Sequence, residues 1–210
     1  MELSNSISSV IPSAHGAVLG VLAHADVPLS GRQIAKLTHG RVQQPRANDV
    51  LRELTEAGIA SCERHASVHL YRLNHDHVAA EAIMMLAGLR ERLIQRMREA
   101  VLGWIIAPVA VWMFGSAARG DAGPHSDIDV LVVRPDAVDI DNESWQQQLG
   151  DLSSDITVWS GNDCRILEFS RSELAGLVAS GERLVAELCS DALVIAGVAP
   201  LRLLGRVKAN

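Results

Sequence analysis

The chain has 210 residues, 48% of them hydrophobic, and a formal net charge of −6 at pH 7. This is enough apolar material for a packed core, but no uninterrupted apolar run approaches the roughly 18 residues that cross a membrane. The start of the sequence lacks the charged and then apolar pattern of a signal segment. Three widely spaced cysteines favour reduced thiols over disulfides or a zinc site. We therefore expect a cytoplasmic protein that does not enter a membrane.

Charge divides the chain into two parts. Residues 30–75 carry seven Lys or Arg against four Asp or Glu, a net charge of +3. Residues 76–210 carry twelve against nineteen, a net charge of −7. This contrast predicts two domains, over residues 1–75 and 105–210, joined by a connecting segment over residues 76–104.

Three helices and a hairpin are predicted in the first part. Apolar spacing indicates helices over residues 8–25 and 44–57, and Ser30 caps a short helix over residues 31–37. Partial alternation over residues 59–73 indicates a β-hairpin.

This order of elements resembles a winged helix-turn-helix domain, as found in many bacterial transcription regulators. The resemblance implies a recognition helix over residues 44–57, a wing over residues 61–71, and binding to double-stranded DNA. The alternative is a protein–protein interaction module, because small winged helices also serve that purpose. The side chains best able to reach DNA are Gln44, Arg46, Asn48, Arg52 and, on the wing, Arg64.

An almost unbroken apolar stripe follows over residues 76–104 and predicts one long connecting helix. Such a helix cannot bury its stripe against one small domain alone. It either pairs with its copy in a homodimer or packs across both domains of the same chain.

The most informative motif lies between two apolar runs, residues 109–114 and 130–133, which predict strands buried on both faces. Gly115 and Ser116 follow the first run. Asp127 and Asp129 open the second, and side chains two apart on a strand point to the same face. A pair of carboxylates at the edge of a packed sheet favours a hard divalent cation such as Mg²⁺. The alternative is a solvated loop end without chemistry.

The stretch from Phe114 to Val133 resembles the signature of the DNA polymerase β-like nucleotidyltransferases, specifically their small minimal nucleotidyltransferase members. The resemblance implies that Gly115 and Ser116 hold the triphosphate of a nucleotide, with Arg119 and Ser126 as further contacts. It also implies that Asp127 and Asp129 ligate two Mg²⁺ ions, with ATP the favoured substrate.

Members of this group have a third carboxylate on a following strand, where Asp is usual. Here Glu168 interrupts the apolar run of residues 164–169 and is the predicted third catalytic acid and metal ligand. The alternatives are that Glu168 is an edge-strand surface residue paired with Arg165 or Arg171, or that Asp155 or Asp163 takes this role. The whole chain is then expected to be an α+β protein, whose C-terminal domain holds a mixed β-sheet flanked by helices.

Three functions remain open from the sequence. The first is an active nucleotidyltransferase with an unknown acceptor. The second is a DNA-binding regulator whose transferase-like domain senses nucleotide. The third is an antitoxin-type protein that modifies or binds a toxin-type partner.

Overall fold

The structure, a computed structural model, describes residues 1–120, 123, 126–180 and 182–205. The chain divides into two compact units: Glu2 with Ser4–Arg90, and Met1 and Leu3 with the chain from Glu91 onwards. Each unit combines helices with one β-sheet, which confirms the predicted α+β fold. None of the helices in the described part of the chain has both the length and the apolar character needed to span a membrane.

The N-terminal unit packs its helices against a three-stranded antiparallel sheet of order β1-β3-β2. Ser30 caps α3 as predicted, because its hydroxyl accepts from the Gln33 backbone while the Gln33 side chain accepts from the Ser30 backbone. The elements in chain order are α1 (Ile7–Val10), α2 (Ala14–Ala23), β1 (Leu29–Ser30), α3 (Gly31–Leu37), α4 (Gln44–Glu56), β2 (Ala60–His65), β3 (Val68–Leu73) and α5 (Ala80–Ala87).

Two sequence predictions in this unit need correction. The single helix over residues 8–25 is divided into α1 and α2, with Pro12 between them, because proline lacks an N–H and obstructs the preceding turn. The short strand β1 was missed, since two residues are too few to produce a periodic pattern.

The predicted connecting helix is also not continuous. It ends at Gly88, which caps α5, and a second helix α6 (Leu89–Leu102) follows. Glycine favours such a break because it is a poor helix former. The two helices pack into different hydrophobic cores. Ile83 of α5 is buried in the N-terminal unit, whereas Met97 of α6 is buried in the C-terminal unit. The stripe is therefore partly covered within the chain, and homodimerisation stays a prediction.

The C-terminal unit contains a mixed four-stranded sheet of order β6-β5-β4-β7. In this sheet β5 runs antiparallel to β4 and parallel to β6, and β7 is antiparallel to β4. Beyond α6, the elements are β4 (Ala110–Phe114), α7 (Gly115–Arg119), β5 (Ile128–Arg134), α8 (Glu143–Ser160), β6 (Cys164–Ser170), α9 (Arg171–Ser180), α10 (Arg183–Asp191), β7 (Leu193–Gly197) and α11 (Pro200–Leu204).

Helices cover both faces of this sheet. One face packs Val130 and Val132 of β5 with Trp145 of α8 and with α6. The other packs Leu131 and Val133 of β5 with residues of α9, α10 and α11. Alternation along β5 therefore decides which layer each side chain enters, and it places Asp129 on the same face as Leu131.

Candidate active site

A glycine turn and an aspartate meet where β4 ends. Gly115 follows β4 with a φ of +70°, a left-handed conformation that side chains rarely adopt. A Cβ atom added to Gly115 would lie 3.2 Å from Oδ2 of Asp129. Phe114 and Asp129 are cross-strand partners in the antiparallel β4–β5 pair, which explains the close approach. Glycine therefore leaves room beside the carboxylate at the start of α7.

The loop that precedes β6 fixes the start of β5. The Ile128 N–H donates to the Asp163 carbonyl at 2.8 Å, and the Asn162 side-chain amide donates to the Ser126 carbonyl at 2.9 Å. Together these bonds hold the backbone on both sides of Asp127. Asn162 is only 3% exposed, and sequence reasoning missed it. The helix α8 ends at Ser160, and Gly161, with a φ of +71°, forms the turn that presents Asn162.

The two aspartates influence each other electrostatically. Burial raises the pKa of the Asp129 carboxyl above its usual value, the charge of Asp127 raises it further, and Arg165 opposes the shift. The pair therefore carries negative charge that the fold only partly compensates. A divalent cation held by carboxylate oxygens would relieve this repulsion.

Arg165 places a positive charge at this aspartate pair. In the parallel register of β5 and β6, Arg165 stands beside Asp129. Its guanidinium Nη2 lies 2.7 Å from Oδ2 of Asp127, and its side chain is 71% exposed. Sequence reasoning named Arg165 only as a possible partner of Glu168, because the register between two parallel strands cannot be derived from one sequence.

The structure does not bring Glu168 to this site, so its placement does not support the predicted catalytic and metal-binding roles. Glu168 pairs in register with Val132, three residues beyond Asp129, an offset of about 10 Å along the strand. It also lies on the opposite face, where its Oε1 accepts from Arg134 Nε at 2.7 Å and from Trp145 Nε1 at 2.8 Å. Glu168 is the acceptor of a largely buried ion pair with Arg134, and not of the surface pair with Arg165 or Arg171 that the sequence offered as the alternative.

The remaining candidates for a third acid do not complete the site. Asp155 lies on an exposed position of α8, and Asp163 contributes its backbone carbonyl to β5. Within residues 1–120, 123, 126–180 and 182–205, no three His, Cys, Asp or Glu side chains form a group that could hold a metal ion. The donor set is therefore two carboxylates, which suits a Mg²⁺ ion that takes its other ligands from water and phosphate.

Two predicted nucleotide contacts have protein partners here. Arg119 Nη1 lies 3.1 Å from Oδ2 of Asp191, at the end of α10. The Ser126 hydroxyl accepts from the Gly123 N–H at 3.0 Å. Both residues lie on the segments that flank the aspartates, and neither is buried.

Cysteine chemistry is not favoured beside the aspartates. Burial raises the pKa of the Cys164 thiol to about 11, and the charge of Asp129 adds to this shift. The thiol stays protonated at neutral pH, so Cys164 is not an activated nucleophile.

The predicted DNA-binding side chains are exposed in the N-terminal unit. On α4, however, basic and acidic residues alternate: Arg46 Nη1 lies 3.6 Å from Glu53, and Arg52 Nη2 lies 3.5 Å from Asp49. The helix holds two arginines against three acids, a net charge of −1. The positive charge of this part of the chain therefore lies outside α4. The other predicted residues are Gln44 and Asn48 on α4 and Arg64 at the hairpin.

Fold and site together define a paired-aspartate centre at the edge of a mixed sheet, beside a glycine turn. Residues 90–175 match the family model of the nucleotidyltransferase domain, which covers less than half of the chain. This confirms the predicted nucleotidyltransferase resemblance for that stretch. No curated protein matches the sequence.

Three solved structures are similar at low identity. A toxin–antitoxin complex with AMP-PNP contains a chain that is 17% identical, with 54% of this chain and 80% of that one covered and a TM-score of 0.34. A proposed nucleotidyltransferase from Sulfolobus solfataricus is also 17% identical, with coverages of 50% and 81% and a TM-score of 0.29. TrmBL2, an archaeal chromatin protein with a novel mode of DNA binding, is 15% identical, with coverages of 85% and 75% and a TM-score of 0.31.

Proposed function

We propose that the C-terminal unit is a Mg²⁺-dependent nucleotidyltransferase that moves a nucleoside monophosphate from a nucleoside triphosphate, with ATP favoured, to an acceptor. The observation that carries the proposal is the approach of Gly115 to the Asp129 carboxylate, beside Asp127. This arrangement lies inside the stretch that matches the nucleotidyltransferase family model.

The residues have separate tasks in this proposal. Asp127 and Asp129 hold Mg²⁺, which supplies charge neutralisation for the triphosphate and the departing pyrophosphate. The turn at Gly115 and Ser116 orients the triphosphate through backbone N–H groups, and Arg119 and Ser126 are further contacts. The acceptor oxygen forms a bond to the α-phosphorus, the bond from that phosphorus to the pyrophosphate oxygen breaks, and the acceptor proton passes to solvent.

Label transfer tests this proposal. The protein is incubated with each of the four α-labelled nucleoside triphosphates and Mg²⁺ in a lysate of its own cells. We expect label on a protein or an RNA with the wild type and none with the Asp127→Asn, Asp129→Asn double variant. Asp155→Asn, which removes an exposed carboxylate from α8, is the matched control and should transfer normally. Transfer by the double variant would overturn the metal assignment.

A second candidate is a DNA-binding regulator that senses nucleotide without transferring it. Two observations favour it: a basic side chain, Arg165, stands beside Asp129, and Glu168, the predicted third acid, is engaged elsewhere. In this candidate the N-terminal unit is a winged helix-turn-helix with α4 as the recognition helix and β2–β3 as the wing. The order of its helices and hairpin supports this reading.

Nucleotide binding separates the two candidates. A sensing regulator binds Mg²⁺ and nucleotide, produces no labelled acceptor, and changes its affinity for double-stranded DNA when nucleotide is present. A transferase produces the labelled acceptor. A toxin-type protein partner, homodimerisation and a cytoplasmic location stay predictions from the sequence.

A further inference from the structure

One side chain at the aspartate pair has a task that the proposed function does not assign. Arg165 is level with Asp129 on the neighbouring strand and contacts Asp127 at 2.7 Å. Strand residues paired side by side project to the same face, so the guanidinium and both carboxylates share one surface. Because β6 is the edge strand of the sheet, the long side chain of Arg165 has room to move.

The oxygen ligands at this surface limit how many ions it can hold. Among the described residues, two carboxylates and one guanidinium stand here, and together they carry a net charge of −1. One divalent cation can be held by the two carboxylates. A second divalent cation would find no further carboxylate among the described residues to ligate it. The composition of the site therefore suits one cation and one guanidinium.

Arg165 and a cation also compete for the same atom. The guanidinium occupies Oδ2 of Asp127, which is one of the few oxygens that the pair offers. A cation that binds Asp127 must displace the guanidinium or share its oxygen. Arginine is well suited to leave, since its planar group binds phosphate oxygens as readily as carboxylate oxygens.

We infer that Arg165 is a specificity-determining residue for the polyphosphate of the nucleotide: it neutralises Asp127 in the free protein and moves to a phosphate when a single divalent cation binds the aspartates. This inference rests on the proposed function, because it names how that same site selects its ligands. Cation and nucleotide then support each other, since the nucleotide removes the group with which the cation competes.

Opposite shifts in two affinities test the inference. Mn²⁺ serves as the cation probe, measured alone by the electron paramagnetic resonance signal of the free ion. A fluorescent ATP analogue at saturating Mg²⁺ serves as the nucleotide probe. Arg165→Gln should bind Mn²⁺ about tenfold more tightly, because a positive charge has been removed, and should bind the nucleotide about tenfold more weakly. The change lies on an exposed side chain, so the fold should tolerate it.

Stoichiometry provides a second measurement. The wild type should bind one Mn²⁺ per chain, whereas Arg165→Asp should bind two, because the variant adds the third carboxylate. The matched control is Arg183→Gln, which removes an arginine that is 91% exposed and pairs with Glu187 on α10. It should leave both affinities unchanged.

The possible outcomes are distinct. If the wild type binds neither Mn²⁺ nor nucleotide, the proposed function fails and the inference fails with it. If the wild type binds both, but Arg165→Gln shifts both affinities in one direction or shifts neither, only the inference is overturned. Two Mn²⁺ ions on the wild type would also overturn it.

Discussion

Asn162 holds the carbonyl of Ser126 through a 2.9 Å hydrogen bond from its buried side-chain amide. This bond ties the loop after α8 to the residue that directly precedes Asp127. The adjacent bond from Ile128 N–H to the Asp163 carbonyl ties the residue that follows it. The carboxylate of Asp127 is thus placed by its neighbours on both sides, so residues without direct chemistry determine the geometry of the aspartate pair.

Asn162→Ala tests this positioning. We expect a loss of about 1–3 kcal/mol in the free energy of unfolding, because the partly buried Ser126 carbonyl loses its donor. Mn²⁺ binding should weaken as well, because Asp127 is held less firmly. Denaturant titration and Mn²⁺ binding measure the two effects. Asn142→Ala is the matched control, since Asn142 caps α8 by accepting from the Trp145 N–H at 3.0 Å. It should cost about 1 kcal/mol and leave Mn²⁺ binding intact. Equal loss of Mn²⁺ binding in both variants would contradict a positioning role.

Asp129→Asn should raise the melting temperature of the metal-free protein at neutral pH. Burial, and then the charge of Asp127, raises the pKa of Asp129 in the folded state. The folded chain therefore holds this proton more tightly than the unfolded chain does. Asp129 therefore contributes to the stability of the folded state fully below the unfolded-state pKa of about 3.9. This contribution is lost as the pH rises through the raised folded-state pKa, where the carboxyl ionises. The gain in the variant should be absent at about pH 3 and complete above the raised pKa.

Asp136→Asn is the control with the opposite sign. The backbone N–H and hydroxyl of Ser172 donate to Asp136 at 2.9 and 3.0 Å, which lowers the pKa of that carboxyl. Its stabilisation is present above the unfolded pKa and is lost as the pH falls, so the variant should melt lower at neutral pH. Melting curves across the acidic range compare the two. A gain for Asp129→Asn that does not vary with pH would rule out charge as its cause.

Local signals in the sequence were enough to predict much of the fold. The cap at Ser30 predicted α3 with its correct bounds, and the apolar runs predicted β4 and β5, because these features depend only on near neighbours. The proximity of Asp127 and Asp129 followed from the two-residue period of a strand. Glu168 was misplaced because its position depends on the parallel register of β6 against β5, which is set by packing. The same register brings Arg165 to the site.

Glu168→Gln distinguishes a structural glutamate from a metal ligand. The carboxylate pairs with Arg134, and the side chains of the two are only 15% and 8% exposed. Loss of its charge leaves a buried guanidinium without its counter-ion, at a cost of about 3 kcal/mol in the free energy of unfolding. Mn²⁺ and nucleotide affinity should not change, because Glu168 lies on the opposite face of the sheet from Asp129. Glu187→Gln, which breaks the exposed pair with Arg183, should cost less than 1 kcal/mol. Loss of Mn²⁺ binding in a folded Glu168→Gln protein would restore Glu168 as a ligand.

The proposed recognition helix carries an acidic side chain, Glu53, that competes with DNA phosphates for Arg46. Glu53 accepts from His15 Nε2 at 2.8 Å through one carboxylate oxygen, and its other oxygen lies 3.6 Å from Arg46 Nη1. A phosphate that binds Arg46 competes with this carboxylate for the guanidinium. The acidic residues of α4 therefore oppose DNA binding by the same electrostatics through which the arginines favour it.

Opposite substitutions on α4 test whether it binds DNA. Arg46→Ala and Arg52→Ala should each weaken binding to a labelled duplex and reduce the salt dependence of the affinity by about one ion, because one phosphate contact is lost. Glu53→Gln should strengthen binding, since it removes a negative charge and releases Arg46. Fluorescence anisotropy at several salt concentrations measures both effects, with Arg183→Ala on α10 as a charge-matched control in the C-terminal unit. If none of the three substitutions on α4 changes the DNA affinity, α4 is not the recognition helix. The N-terminal unit is then better explained as a protein-interaction module.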